Sequence, residues 1–348
     1  MNRRNFIATL PALMAASETL TAAGMKAGRL GICSFSCHRA WQAVREKSTP
    51  VSFADGPTFF DYARSLGADG VQTSFATLDE SAAARFRVRQ EQVGGYYEGD
   101  VRLPKTESEL EKFEQEVMIV RAAGGSVART VFTGSRRYEA WKTLDEFKAF
   151  RVDASKRLAM VEPIVKRHRL KLAVENHKDF TAEELALLMR EFSSEWIGVN
   201  VDTGNNLALL EDPYYTIDTL APFAMSVHLK DMAVQPAESG FRLSEVPCGN
   251  GFLDLSRIVT TLRRANPNIC FNLEMATRDP LVIPCLAESY WATFPERRAT
   301  HLLASQAMIK SHPIRIPPPS IIGKTMPEQL LDEESNNRVS LDWMHRHL

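Results

Sequence analysis

The chain has 348 residues, of which 44% are hydrophobic and 24% are charged, and its formal net charge is −1. This composition is ordinary for a globular protein, and a balanced charge without a basic stripe argues against a nucleic-acid partner. No apolar run reaches the roughly 20 residues that cross a bilayer. We therefore expect no membrane association of the mature protein, after removal of the N-terminal export signal described next.

The N-terminus has the pattern of an export signal. Arg3 and Arg4 precede Phe6, and a short apolar stretch and several small residues follow before residue 25. A charged start, an apolar centre and a small-residue end predict a signal peptide over residues 1–24. The paired arginines are typical of a twin-arginine signal and predict a periplasmic or otherwise exported protein. A mitochondrial-type leader and an ordinary N-terminal helix are the alternatives.

The cysteines do not form a pattern of structural pairs. They are scattered, odd in number and lack a Cys-x-x-Cys spacing: Cys33, Cys37, Cys248, Cys270 and Cys285. An odd, scattered set argues against a disulfide scaffold and against a structural zinc site.

Short strand-like runs alternate with helix-like segments along the chain. The eight strand-like runs are 29–34, 70–73, 92–97, 126–131, 170–175, 197–202, 224–229 and 269–274. The clearest segments with helical apolar spacing are 58–66, 107–123, 144–168, 182–192 and 255–265. Strands that alternate with helices pair in parallel through crossover helices. Eight such units predict an α/β fold, a single-domain (β/α)8 TIM barrel over residues 25–310.

An open, doubly wound sheet is the alternative architecture. That fold usually has a glycine-rich, phosphate-binding turn after its first strand. The segment Ser34-Phe35-Ser36-Cys37 follows the first run here and contains no glycine. The closed barrel is therefore favoured.

The last part of the chain differs in composition from the rest. Prolines at 313 and 317–319 exclude a helix interior there, because proline lacks the backbone N–H. Residues 311–348 also carry scattered apolar side chains, among them Leu341 and Met344. We expect an arm that extends the barrel and packs on it or on a second copy of the chain in a homo-oligomer. Disorder is the alternative.

Four predicted strand ends carry side chains of the kind that bind metals: Glu175, Asp202, His228 and Glu274. Each follows an apolar run that must be buried, and a lone buried carboxylate costs several kcal/mol unless it is paired or bound to a metal. The carboxyl ends of barrel strands meet on one face. The four residues together therefore predict one metal site, whereas any one of them alone is more simply a strand-end cap or a salt-bridge partner.

Three carboxylates and one imidazole indicate a hard to borderline divalent ion. Manganese fits best, and magnesium, cobalt and zinc also accept such ligands. The ligands bring three negative charges against two positive ones. We therefore expect a neutral, oxygen-rich small molecule, such as a carbohydrate, as the substrate.

Polar residues near the strand ends are candidates for substrate binding. Side chains two residues apart share one face of a strand, which places His177 with Glu175 and Lys230 with His228. Other polar residues follow the first, third and fourth predicted strands on the same catalytic face, namely His38, Glu98 and Arg137. For each of these three, a solvated loop position is the alternative.

The strand-end motifs resemble those of the xylose-isomerase-like TIM-barrel superfamily, the sugar phosphate isomerases and epimerases. The matching motifs are Val174-Glu175-Asn176-His177, Val201-Asp202-Thr203-Gly204-Asn205, His228-Leu229-Lys230-Asp231, Gly249-Asn250-Gly251-Phe252-Leu253-Asp254 and Leu273-Glu274. The resemblance covers residues 29 to about 305.

The resemblance implies roles for the four candidate ligands. In the ketose 3-epimerases of this superfamily the equivalent residues bind one metal, and the two glutamates also move the proton. Glu175 and Glu274 would then be catalytic as well as metal-binding, while Asp202 and His228 would bind the metal only. The implied activity is a sugar isomerase or epimerase that removes a proton next to a carbonyl through a metal-bound enediolate.

Two positions depart from the epimerase pattern. Asn205 stands where those enzymes often have a histidine, and Thr181 stands where they often have a second glutamate. Asn205 is therefore an additional candidate for substrate binding. We expect the contacts to the substrate to differ from those of a standard epimerase. A lyase or hydrolase that releases an aglycone from 3-keto-glycosides is the second hypothesis. A barrel that binds sugar without turnover is the third.

Overall fold

The computed structural model describes residues 29–348 except 295 and 297, so the predicted signal over 1–24 lies outside the described residues. The strands, in chain order, are β1 Leu30–Cys33, β2 Gly70–Thr73, β3 Tyr96–Asp100, β4 Val127–Thr130, β5 Lys171–Glu175, β6 Ile197–Asp202, β7 Ala224–Leu229, β8 Asp231–Ala237, β9 Gly240–Val246, β10 Phe271–Leu273 and β11 Leu281–Ile283.

The helices surround the strands. In chain order they are α1 His38–Glu46, α2 Gly56–Ser65, α3 Glu80–Gln92, α4 Leu110–Ala122, α5 Arg137–Ala140, α6 Leu144–Arg167, α7 Ala182–Phe192, α8 Pro213–Leu220, α9 Leu255–Ala265, α10 Arg298–Ser311 and α11 Met326–His347. Within the part of the chain that the structure describes, none of these helices is both long and apolar enough to cross a membrane.

The barrel closes through parallel pairs in the order β1-β10-β7-β6-β5-β4-β3-β2. The predicted (β/α)8 TIM barrel is thereby confirmed. Its central strands are buried on both faces, because helices cover the outside and side chains fill the inside. All six residues of β6 are buried, which explains why this strand reads as a nearly continuous apolar run.

The third strand lies further along the chain than the sequence pattern predicts. Helix α3 continues to Gln92, and Gly94 turns the chain in the left-handed region at a φ of 64° before β3 begins at Tyr96. Glu98 is therefore inside β3 and does not follow it. The β-branched and aromatic pattern of 92–97 predicted a strand where the helix C-terminus and its turn lie.

A three-stranded antiparallel sheet, which the sequence pattern did not predict, follows β7 almost directly. Strands β8 and β9 form a hairpin, and β11 pairs with β9. Asp231 opens the hairpin, and its carboxylate accepts hydrogen bonds from the backbone N–H groups of Gly249 and Gly251, each at 2.9 Å. A Cβ at Gly251 would lie 2.1 Å from that carboxylate, so the glycine is required there.

The C-terminal arm packs on the barrel. Helix α11 contacts α1 and the turn that follows β1, and its Leu341 and Met344 are fully buried. Glu333 on α11 accepts hydrogen bonds from the backbone N–H groups of Arg39 (2.7 Å) and Ala40 (2.9 Å) at the start of α1. The arm thus caps a barrel helix beside the catalytic face.

Candidate metal centre

Four side chains converge at the carboxyl ends of neighbouring strands: Glu175 of β5, Asp202 of β6, His228 of β7 and Glu274 just after β10. Each offers one ligand atom, and these atoms all lie within 4.8 Å of one another. We call these four residues the ligand cluster. The parallel register aligns them, since His228 pairs with Asp202 on one side and with Asn272 on the other. All four are buried.

The imidazole of His228 is oriented by a residue on the opposite side of the barrel. Its Nε2 lies 2.5 Å from Oε1 of Gln72 on β2. Because that amide oxygen can only accept, Nε2 carries a proton and Nδ1 is the ring nitrogen that faces the carboxylates. Nδ1 contacts Oε2 of Glu274 and lies 3.3 Å from Oε2 of Glu175. This is the arrangement by which proteins orient a metal-binding histidine.

The electrostatics of the cluster fit a divalent cation. Burial opposes charge on His228, but Glu274 and Glu175 outweigh it and raise its pKa well above the usual value, so positive charge is stabilised at this point. Burial raises the pKa of Asp202 to about 6, although Lys230 opposes this shift. Oxygen and imidazole donors that face one point repel one another unless a cation lies between them. The donor set therefore fits a divalent metal.

Glu175 is held by further donors. Arg129 on β4 donates from Nε to Oε2 at 2.7 Å, and Asn205 donates from Nδ2 to Oε1 at 3.0 Å. Burial favours the neutral acid, but Arg129 and His228 outweigh it and hold the pKa of Glu175 below its usual value. Both oxygens of this carboxylate are thus fixed in place and ionised.

Lys230 lies within the cluster. Its Nζ is 2.8 Å from Oδ2 of Asp202 and 3.0 Å from Oε1 of Glu274. Burial opposes charge on Glu274, but Lys230 and His228 hold the pKa of its carboxyl well below the usual value. Lys230 was predicted to bind substrate, and the structure brings it to the ligand cluster itself.

Other predicted substrate contacts lie around this centre. Asn205 touches Glu175, as described above, and its backbone N–H donates to Oδ1 of Asp202 at 2.8 Å. His177 is half-buried, and burial and the charge of Lys178 lower its pKa to about 3, so it is neutral. His38, at the start of α1, stacks on Phe35 and lies beside α11.

Two predicted substrate contacts lie elsewhere. Glu98 is inside the barrel below the ligand cluster, where it accepts hydrogen bonds from Gln72 (3.0 Å) and Asn272 (2.9 Å). Arg137 is buried between helices, with Nε 2.9 Å from Oγ1 of Thr293. Glu98 is misplaced because β3 starts later than its pattern indicates. Arg137 is displaced from its predicted position because its guanidinium group binds Glu184 of α7 and Thr293.

Sequence reasoning missed several residues of the site: Gln72, Arg129, Lys178, Glu245 and Arg278. Gln72 and Arg129 are polar residues inside buried strands, and that position was a usable signal. Glu245 accepts a two-pronged ion pair from Arg278, with distances of 2.6 and 3.0 Å, and lies 3.8 Å from Lys230. No signal could have placed Glu245, because the hairpin that carries it was not predicted.

Comparison with known proteins supports the fold. A 3-oxo-isoapionate decarboxylase of Pectobacterium atrosepticum is 28% identical over 114 residues, which cover 32% of this chain and 42% of that protein. The chain spans about half the length of the curated relatives it matches.

Solved structures are similar in fold. A D-psicose 3-epimerase determined in the presence of D-fructose has a TM-score of 0.56 at 13% identity, covering 92% of this chain and 99% of that one. A xylose isomerase-like TIM barrel protein from Mycobacterium smegmatis in complex with magnesium has a TM-score of 0.50 at 16% identity, covering 73% and 89%.

The family assignment follows from the sequence match over most of the barrel. The model of the family described as xylose isomerase-like TIM barrel matches residues 60–302, which is more than half of the chain. These residues include β2 to β10 and all four members of the ligand cluster. The chain belongs to the xylose isomerase-like TIM barrel family.

Proposed function

We propose that this protein is a divalent-metal-dependent isomerase or epimerase that acts on a small carbohydrate by removing a proton next to a carbonyl group. One observation carries the proposal: two buried glutamates, Glu175 and Glu274, meet at a single point with Asp202 and His228. A pair of carboxylates beside one cation is the minimum that such a proton transfer requires.

The ligand cluster would hold the ion, and manganese suits its three carboxylates and one imidazole best. When bound, the ion polarises the carbonyl of the substrate and stabilises the negative charge that develops as the neighbouring proton leaves. Gln72 keeps the Nδ1 lone pair of His228 available for this ion.

The two glutamates have different surroundings, and we propose that they have different roles in the proton transfer. Glu175 accepts hydrogen bonds on both oxygens from Arg129 and Asn205, so it is the more firmly positioned ligand. Glu274 accepts a hydrogen bond from Lys230 at 3.0 Å and contacts Nδ1 of His228, which is itself a candidate metal ligand. We therefore assign removal of the proton to Glu274. Glu175 would take up a proton from solvent and deliver it to the opposite face of the carbon, while Glu274 would release the abstracted proton to solvent.

A carbon–oxygen lyase that acts on 3-keto-glycosides is the second candidate. It needs the same removal of a proton next to a carbonyl, followed by expulsion of the aglycone from the adjacent carbon. The similarity to a decarboxylase, a lyase, favours keeping this alternative. The two candidates differ in their products, because an epimerase conserves the mass of the substrate and a lyase does not.

A panel of ketoses and 3-keto-glycosides, incubated in D2O with the manganese-loaded protein, tests the proposal. An epimerase or isomerase is expected to place deuterium on the carbon next to the carbonyl, and the lyase is expected to release aglycone. Glu175→Gln and Glu274→Gln should each lower the rate by about 10²-fold or more, the usual scale for a general acid or base.

Glu183→Gln is the matched control, because Glu183 is an exposed glutamate on α7. Bound metal is measured in every variant, so that loss of metal is separated from loss of the base. A Glu175→Gln, Glu274→Gln double variant that kept both metal and full turnover would contradict the assignment. A wild-type protein that binds sugar but neither exchanges deuterium nor releases product would point to a binding protein.

A further inference from the structure

The ammonium group of Lys178 is buried beside the metal centre and has no ion-pair partner among the described residues. The residue is 6% exposed, and its Nζ donates a hydrogen bond to Oδ1 of Asn205. Within the described part of the chain, no carboxylate oxygen lies within 4.0 Å of this nitrogen. Its only hydrogen-bond acceptor there is thus a neutral amide.

The surroundings of Lys178 add a like charge. Nζ of Lys230 lies 3.5 Å from the same Asn205 oxygen, so two ammonium groups share one acceptor. Burial, reinforced by Lys230, lowers the pKa of Lys178 to about 8, which leaves the group mostly protonated at neutral pH. A buried charge without a partner costs several kcal/mol, and such groups are normally paired.

The backbone of Lys178 is also in an unfavourable conformation. Its φ is 67°, in the left-handed region that side chains other than glycine, asparagine and aspartate seldom adopt. A hydrogen bond of 2.9 Å from the backbone N–H of Arg137 to the carbonyl of Lys178 holds this turn. The position of this ammonium group next to Asn205 therefore requires both a strained backbone and an unpaired charge. Asn205 in turn contacts Glu175.

The charge of the whole site differs from the charge of the ligands alone. Among the described residues, five carboxylates form ion pairs in or beside the site: Asp100, Glu175, Asp202, Glu245 and Glu274. Four cationic side chains lie among them: Arg129, Lys178, Lys230 and Arg278. The net charge is thus −1, and a divalent ion changes it to +1. The expectation of a neutral substrate considered only the ligands, whereas this larger count favours an anionic group.

We propose that Lys178 binds a carboxylate group of the substrate, which makes the substrate class a sugar acid with a carbonyl group. This inference rests on the proposed function, because it concerns the substrate of the same site. A single carboxylate supplies the missing partner of Lys178 and brings the net charge of the loaded site to zero. A phosphate dianion would exceed the one unpaired cation that the described residues of the site offer.

Three non-reacting ligands with the same six-carbon skeleton test the proposal: D-gluconate, D-sorbitol and D-sorbitol 6-phosphate. Their binding to the manganese-loaded protein is measured by isothermal titration calorimetry. The wild type is expected to bind gluconate about 10- to 100-fold more tightly than sorbitol, the scale of a buried hydrogen bond between charged groups. Lys178→Met should abolish this preference while leaving the affinity for sorbitol and the metal content unchanged.

Lys171→Met is the matched control, because Lys171 is an exposed lysine at the start of β5. Lys178→Met is also expected to leave the Tm of the ligand-free protein unchanged or raise it, since the variant removes an unpaired buried charge. A fall in Tm together with an unaltered preference for gluconate would instead assign Lys178 a structural role and overturn the proposal.

The remaining outcomes separate this inference from the proposed function. Equal affinities of the wild type for gluconate and sorbitol, or tighter binding of the phosphate ester through Lys178, would overturn the carboxylate assignment. Deuterium exchange on a neutral ketose with no preference for sugar acids would overturn it as well and leave the proposed function intact. Binding of gluconate through Lys178 without exchange on any keto acid would support the subsite and contradict the proposed function.

Discussion

At the scale of single residues, the site depends on a polar layer inside the barrel, directly below the ligand cluster. Gln72 uses its oxygen for His228 and its amide N–H groups for Glu98, Asn200 and Ser226, at 3.0 to 3.2 Å. Burial raises the pKa of Glu98, while its hydrogen bonds to Ser226 and Gln72 oppose the shift. Since Glu98 accepts hydrogen bonds from Gln72, Ser226 and Asn272, the layer orients the imidazole without leaving Glu98 unpaired.

Gln72→Met tests the role of this layer. The change keeps the length of the side chain but removes the acceptor for Nε2 of His228, so the imidazole is no longer fixed in the tautomer that binds metal. The affinity for manganese should fall by about 10- to 100-fold, as for other outer-shell partners of ligand histidines. The measurement is a metal-binding titration of purified, chelator-treated protein.

Gln90→Met serves as the comparison, because Gln90 is also a buried glutamine but lies on α3, away from the ligand cluster. Equal metal affinities of the two variants would show that Gln72 does not orient His228.

At the scale of elements, two additions to the barrel stabilise its catalytic face. The hairpin of β8 and β9 brings Glu245 within 3.8 Å of Lys230, and Glu245 in turn fixes Arg278. Helix α11 covers the region beside β1, where Asn337 donates a hydrogen bond to the carbonyl of Ser36 at 2.9 Å. Both elements therefore support loops that follow barrel strands, which is where barrel enzymes bind their substrates.

Glu333→Ala tests the contribution of α11. The carboxylate caps the first N–H groups of α1 from another helix, so its removal leaves the buried N–H of Ala40 without an acceptor. We expect the free energy of unfolding to fall by about 1–3 kcal/mol, measured by urea denaturation.

Asp342→Ala on the same helix is the control, since Asp342 is exposed, and it should change stability by no more than about 0.5 kcal/mol. A Glu333→Ala variant as stable as this control would contradict the capping role.

At the scale of the whole molecule, we propose that residues 1–24 direct export through the twin-arginine route. That route carries folded proteins, which agrees with the five free cysteines, four of them buried. Replacing Arg3 and Arg4 with lysine should leave the protein in the cytoplasm, because the twin-arginine export system recognises the paired arginines.

The measurement for export is the fraction of protein in the periplasm after cell fractionation. Arg45→Lys on the exposed side of α1 is the control and should not change it. Undiminished periplasmic protein in the Arg3→Lys, Arg4→Lys variant would indicate another route.

The barrel and the convergence of its four ligand candidates could be predicted from the sequence alone. Both follow from local patterns: alternation of strands with helices implies parallel strands, and a polar residue after each buried run lies at the carboxyl end of its strand. Glu175 and Asp202 needed no further information than this.

The contacts between residues that are distant in the sequence could not be predicted and are seen only in the folded chain. Gln72 and His228 are 156 positions apart, and Glu245 reaches Lys230 through a hairpin whose pattern gave no strand signal. The pairing of charges is equally unpredictable from sequence. Lys178 has no ion-pair partner among the described residues because the closed barrel places the carboxylates more than 4.0 Å from its ammonium group. Local periodicity fixes the face on which a side chain lies, whereas closure of the barrel and the paths of its loops fix its neighbours.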